Sequence, residues 1–346
     1  MNEVNQKIID AIIKKAEAVC PDSLALIGLY GSVATGDTYE KSDLDLLILI
    51  NDEHGWKLAE AFILNDIGIG YDIYCTSWEM LEEDAKCNHA HLSKLLDSPL
   101  VYIKDQSAAQ RLDGLKKKAL DLLASDERYE KAQAAYDNAK KAYADCFLTD
   151  SVSQIRTAAG AVINSLLDAV MLYHGRYFRK GVKRTFEELE PLPIPFDIEG
   201  SVTDIIRAET AGEIRDGLTS LMRKTQAYLL FPHEKAAPNQ DNISGTYEEM
   251  FSNWRNKMQE AAEREDLFSS FMNMVSFQYM IHEVAENVAV NEFEIMDNFD
   301  PHNPEKNLEV FDNALNRYLE EYRKVGIQPK CYANVNDFLA DYFETV

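Results

Sequence analysis

The sequence predicts an α+β protein: a small mixed-sheet module followed by a mostly helical bundle. Three observations lead there. Short apolar runs bounded by turn residues recur through residues 24–105. From about residue 106 these runs give way to apolar residues at helical spacing. The chain has 346 residues, more than one core commonly organises, so two domains are expected, 1–105 and 106–346, with a sub-boundary at 231–245.

The elements follow in order. Val4, Ile8, Ile9, Ile12, Ile13 and Ala16 have helical period over residues 2–19, and Pro21 stops that helix. LALIGLY (24–30) and LDLLILI (44–50) read as buried strands. A helix is expected over 55–65, and GIGYDIYCT (68–76) reads as a third strand. Thr76 and Glu79 have capping-box spacing, so a helix is expected from about Ser77. PLVYIKD (99–105) reads as a short edge strand.

Helices are then expected over 107–123, 126–148 and 151–174, the last capped by Ser151 and Gln154. Pro191, Pro193 and Pro195 mark a loop, residues 202–230 read as helical, and 231–245 as a polar linker. Thr246 and Glu249 predict a helix to about Ala262, with two or three more helices to the end.

Composition narrows the function. With 59 acidic against 35 basic residues the formal net charge is −24. A partner held through phosphate contacts, nucleic acid above all, needs the opposite balance. Small cations are favoured. The five cysteines form no C-x-x-C pair, which fits a reducing compartment and predicts no disulfide framework. The start lacks the basic and apolar regions of a signal peptide, and no apolar run is long enough to span a bilayer. A cytoplasmic protein without membrane association is the expectation.

Residues 30–52, YGSVATGDTYEKSDLDLLILIND, carry the chemistry. Gly31, Gly36 and Thr38 fit a P-loop except that Asp37 replaces the lysine. An aspartate would repel the phosphates that lysine holds, so that reading fails. Asp43 and Asp45 stand one residue apart at the head of an apolar strand, where side chains alternate, so both point the same way. Two carboxylates there repel each other unless cations sit between them, and hard divalent ions suit oxygen ligands. Gly31 and Ser32 end the preceding strand, where a glycine permits close backbone approach. Asp72 is a lone acid within the third apolar run; Asp66 is its rival, at an expected helix end.

Gly31-Ser32, then Asp43-Leu44-Asp45, then Asp72, each on or after a successive strand, resembles the polymerase-β-type nucleotidyltransferase superfamily over residues 22–105. The resemblance implies transfer of a nucleoside monophosphate from a nucleoside triphosphate, with ATP the expected nucleotide, to an acceptor hydroxyl, with release of pyrophosphate. It implies that Asp43, Asp45 and Asp72 hold two Mg²⁺ ions, with Asp72 placed to take the hydroxyl's proton. It further implies that Gly31 and Ser32 cradle the triphosphate.

A catalytic module followed by helices resembles the antibiotic nucleotidyltransferases, which act on aminoglycosides. A small cationic acceptor is therefore expected, in a monomer or homodimer, with antibiotic resistance as the associated role. The alternatives are modification of a protein or RNA partner, as by antitoxin-like members, or a nucleotide-binding module without chemistry. On the helix from Thr246, Tyr247, Met250, Phe251, Trp254, Met258 and Ala261 form one apolar stripe. Lys257 and Arg255 on its other side read first as a solvated helix face, and second as residues that close over the triphosphate, as basic residues of related helical domains do. The cluster YHGRYFRKGVKR (173–184) reads first as cations at a helix C-terminus with Gly181 as the stop, and second as a phosphate contact. His89 and His91 lack a third ligand nearby, so a metal role is not expected of them.

Overall fold

A computed structural model describes residues 2–230 and 234–344. They form two compact units, Met1–Phe231 and Pro232–Val346. The first contains the sheet and the helices that follow it up to residue 230.

Helix α1 (Glu3–Val19) is capped by Asn2, whose side chain accepts the Asn5 N–H. It precedes β1 (Leu24–Leu29), the short helix α2 (Gly31–Thr35) and β2 (Leu46–Ile50). Next come β3 (Glu60–Leu64), β4 (Ile69–Ile73), β5 (Cys75–Ser77), α3 (Trp78–Asp84), α4 (Ser93–Leu96) and β6 (Leu100–Ile103). The main sheet has the order β5-β2-β1-β6, with β1 antiparallel to β2 and β6, and β2 parallel to β5. It is a mixed sheet with β6 on one edge, as expected.

The two faces of β2 enter two cores. Leu46, Ile48 and Ile50 pack with α1, and Leu47 and Leu49 pack with the helices that follow the sheet. All five are buried, which accounts for a strand without polar alternation. Leu44 belongs to the α1 side as well. The alternation therefore extends back past the strand's first residue and turns Asp43 and Asp45 the other way.

Three expectations between residues 53 and 85 are corrected. Residues 55–65 are not a helix: a 3₁₀ turn over Glu53–Leu58 runs into β3, a largely exposed strand whose apolar residues follow one another without the alternation that would mark a strand. The run 68–76 is not one strand. It breaks at Tyr74 into β4, which pairs only with β3 as a hairpin, and β5, which joins the main sheet. Helix α3 is capped by Ser77 rather than Thr76; the Ser77 hydroxyl accepts the Met80 N–H at 3.4 Å, and Thr76 is buried in β5.

The helices α5 (Gln106–Ala124), α6 (Glu127–Asp145) and α7 (Val152–Tyr173) match their expected spans. By length and composition α7 could cross a membrane, which the sequence reading did not anticipate. Half of its apolar window is buried inside the protein, where Ile155, Val162, Leu166 and Val170 join the core, so it serves here as a core helix. The expected single helix over 202–230 is two, α9 (Ile198–Arg207) and α10 (Ala211–Tyr228), after the short α8 (Thr185–Leu189). Thr210 makes a full capping box with Glu213 that starts α10 afresh.

The second unit contains α11 (Gln240–Ile243), α12 (Thr246–Met250), α13 (Asn256–Glu263), α14 (Leu267–Asn287), α15 (Pro304–Lys324) and α16 (Val335–Glu344). Of the expected linker, residues 231–233 lie outside the described residues and 240–243 are helical. The helix expected from Thr246 to Ala262 contains a π-helical stretch at Phe251–Arg255, which shifts its face. Met250, Met258 and Ala261 remain core, but Phe251 is exposed. Gly245, at φ 88°, stands at the N-cap in place of the predicted Thr246 box.

Leu47 is fully buried at the centre of the main sheet. Truncation there removes methyl groups that close-packed neighbours cannot replace. Leu47→Ala is expected to lower unfolding stability by about 2–5 kcal/mol, read as a shift in the urea midpoint at unchanged slope.

Candidate active site

The register of β1 against β2 brings Leu29 opposite Leu46, so the residue after β1 meets the residue before β2. The Tyr30 N–H donates to the Asp45 carbonyl at 3.1 Å and continues the ladder by one rung. Gly31 then turns the chain into α2 with φ 66°, a left-handed conformation that glycine adopts at no steric cost. A Cβ on Gly31 would lie 2.6 Å from Asp45 Cγ, nearer still to its Oδ2, so only hydrogen fits. The Ser32 N–H donates to the Asp45 carboxylate. Gly31, Ser32 and Asp45 thus form one interlocked turn.

Asp43 is exposed and Asp45 half-buried, both in the segment just ahead of β2. Burial, then the neighbouring Asp43 charge, push the Asp45 carboxyl above its ordinary range; the Ser32 N–H only partly offsets them. No lysine or arginine pairs with Asp43, Asp45 or Asp72 among the described residues. Asp72 is exposed on β4 and not in the main sheet. Among the described residues no three acidic, histidine or cysteine side chains are arranged as a ready metal cage. The donor chemistry nevertheless fits a divalent cation: hard oxygens, like charges side by side, and one carboxyl that burial and its neighbour's charge make reluctant to ionise.

The three acids meet electrostatically at Tyr30, which sequence reasoning missed. Its phenol is pushed up to about 12, by burial first and then by Asp45, Asp43 and Asp72 in turn. Tyr30 therefore stays a neutral hydroxyl within an acidic field. The available signal was its place, an aromatic between the strand and the Gly-Ser turn. Asp66, the rival acid, is exposed near the β3–β4 turn.

Four cations of the basic cluster, Arg179, Lys180, Lys183 and Arg184, are paired with carboxylates. Gly175, at φ 61°, and not Gly181, terminates α7. Arg179 forks onto Asp97 at 3.2 and 3.1 Å, and Lys180 lies 3.5 Å from Glu187. Lys183 and Arg184 both hold Asp37. Asp37, the residue that breaks the P-loop pattern, has those two cations as its partners in the fold. His89 and His91 face different acids, Asp84 at 3.4 Å and Asp168 at 3.6 Å.

In the second unit, Lys257 is exposed and lines a cleft of about 360 Å³ with Glu260, Arg264, Asp266, Ser269 and Asn273. Arg255, the other basic residue considered there, pairs with Asp312 at 2.5 Å.

With this geometry in view, residues 12–85 match the family model described as a nucleotidyltransferase domain. The matched stretch runs from α1 through the Gly-Ser turn, the aspartate pair and Asp72 to the end of α3. The chain thus carries a domain whose activity is the transfer of nucleotidyl groups, with a nucleoside triphosphate as substrate and typically a divalent metal. Comparison with curated proteins finds no match. Among solved structures, a nucleotidyltransferase-like protein from Exiguobacterium sibiricum 255-15 is similar at 15% identity and a TM-score of 0.39, covering 82% of this chain and 92% of that one. That likeness is too slight to carry an argument.

The raised Asp45 pKa has a signed consequence. A carboxyl that binds its proton more tightly when folded favours the folded state at low pH, and that contribution is lost as pH rises through its folded pKa. Without metal, Asp45→Asn removes the cost and keeps an oxygen for the Ser32 N–H. The variant is expected to melt a few degrees above the parent at pH 7 in chelator, with the gap closing below about pH 4. A variant that melts lower at pH 7 would overturn this account.

Proposed function

We propose that this protein transfers a nucleoside monophosphate from a nucleoside triphosphate to a hydroxyl of a small cationic acceptor, such as an aminoglycoside. One observation carries the transfer reading: Gly31 is packed so closely on Asp45 that no other residue fits, which ties the Gly-Ser turn to the aspartate pair. The acceptor class is supported by the acidic balance of the chain, which would draw a polycation toward it.

In this reading Asp43, Asp45 and Asp72 would hold two Mg²⁺ ions, with ATP the first nucleotide to test. The metal supplies charge neutralisation for the triphosphate and acidifies the attacking hydroxyl. The chain's own part is positioning. Gly31 leaves its backbone open to close approach. The Ser32 hydroxyl is free to donate to a phosphate oxygen while its N–H stays on Asp45. Asp72, exposed and without a cationic partner among the described residues, is available to accept the acceptor's proton. Tyr30 keeps its own proton across the working range and offers a neutral donor to the same field.

The test is pyrophosphate release with Mg²⁺ and each of the four nucleoside triphosphates, across a panel of aminoglycosides. Acceptor-dependent release is expected with at least one pair. Asp43→Asn and Asp45→Asn are each expected to lower it by about a thousandfold or more while the far-ultraviolet spectrum is kept. Near-parental turnover in either variant would sink the assignment of the pair. Release that requires no small acceptor, with label appearing on protein or RNA, would replace the acceptor class.

A further inference from the structure

The loop between α2 and β2 delivers Asp43 and Asp45, yet little of it is buried. Residues 34–36 and 38–41 are exposed, and the loop leaves α2 through Gly36 at φ 76°. Between Asp37 and Asp43 it has a local turn, in which the Ser42 N–H donates to the Tyr39 carbonyl at 3.0 Å, and one longer-range bond, from Lys41 to the Ile67 carbonyl at the hairpin turn. Asp37 is the exception, with a side chain only 23% exposed. Arg184 Nε reaches its Oδ2 at 3.2 Å and Nη2 its Oδ1 at 3.0 Å, a two-pronged pairing. Lys183 Nζ adds 3.1 Å to Oδ2 and 2.8 Å to the Asp37 carbonyl. Both oxygens and the backbone of one residue are held at once. The strength of the pairing shows in the Asp37 carboxyl, which hydrogen bonds from Arg184 and then Lys183 draw down to about 2.

The segment that holds Asp37 is itself fixed. Leu189 at the end of α8 is buried in the core. Glu188 accepts the N–H groups of Arg179 and Lys180, both at 2.9 Å. Arg179 is forked onto Asp97, just ahead of β6, which pairs with β1. A chain of directed contacts thus runs from the sheet, through residues 179–189, to the start of the aspartate loop.

Building on the function proposed above, we propose that Arg184, aided by Lys183, is a positioning residue: through Asp37 it fixes the loop that presents Asp43 and Asp45, without touching the nucleotide. Small misplacement of charged groups at a phosphoryl-transfer site is costly; the Asp45 end of the loop is held by Tyr30, Gly31 and Ser32, and Asp37 is where its other end is held. The two-pronged geometry selects arginine, because lysine supplies the charge but not the fork. Arg184 also holds Glu187 at 2.5 Å, so its guanidinium is occupied on two sides.

The rival role is direct phosphate contact by Arg184, with Asp37 competing for it. The full chain carrying Asp37→Asn, Arg184→Gln or Arg184→Lys separates the two. Amide hydrogen exchange would be followed over residues 36–46. Binding of Mg²⁺ complexes of α,β-methylene nucleoside triphosphates would be followed by equilibrium dialysis. Positioning predicts that Asp37→Asn and Arg184→Gln act in the same direction, each speeding exchange in the loop and weakening binding by about tenfold. Arg184→Lys should fall between them and the parent. Tighter binding in Asp37→Asn alongside weaker binding in Arg184→Gln would overturn the proposal in favour of direct contact. Unchanged exchange in both variants would overturn it outright. If the parent binds none of the triphosphates, the proposed function fails, and loop exchange still decides whether Arg184 fixes the loop.

Discussion

The close approach of Gly31 to Asp45 is the constraint on which the N-terminal site depends. Two strands run antiparallel, and their shared end is joined by one extra rung from the Tyr30 N–H to the Asp45 carbonyl. At that point the next residue must turn sharply with positive φ and must have no side chain, because the Asp45 carboxylate occupies the space. The turn then returns a backbone N–H to the same carboxylate. Geometry and charge are settled together: the glycine sets how near the backbone comes, and the Ser32 N–H partly offsets what burial and Asp43 cost.

The surroundings amplify this arrangement. Apolar packing on both faces of β2 makes the strand a rigid base for the aspartate pair ahead of it. Among the described residues the acids have no basic partner, whereas the cations of residues 179–184 are spent on Asp37, Asp97, Glu187 and the backbone of the aspartate loop. The protein thus separates its charges. Negative charge is concentrated on the aspartate pair, and positive charge is used to hold the loop that carries it.

Two sequence signals with the same appearance had different outcomes. The glycines at 175 and 181 both follow α7, but only Gly175 has the left-handed backbone that ends a helix. The capping spacing at Ser151 held, whereas those at Thr76 and Thr246 were displaced by one residue. Spacing alone does not fix which hydroxyl faces the free N–H groups, because neighbouring strands and turns decide where the helix axis begins.

By itself, the sequence determined the central strands, the change to helices after residue 105, and the turn and aspartate pair. Each is written in local order: unbroken apolar runs, helical period, and a two-residue alternation. Tertiary structure alone decided the rest. The break at Tyr74, which moves Asp72 to a hairpin outside the main sheet, depends on which partner each half of the run finds. The convergence of three acids on Tyr30 and the grip of Arg184 on Asp37 join residues up to 147 positions apart. No local pattern encodes contacts at that separation, because they arise only once packing has brought the segments together.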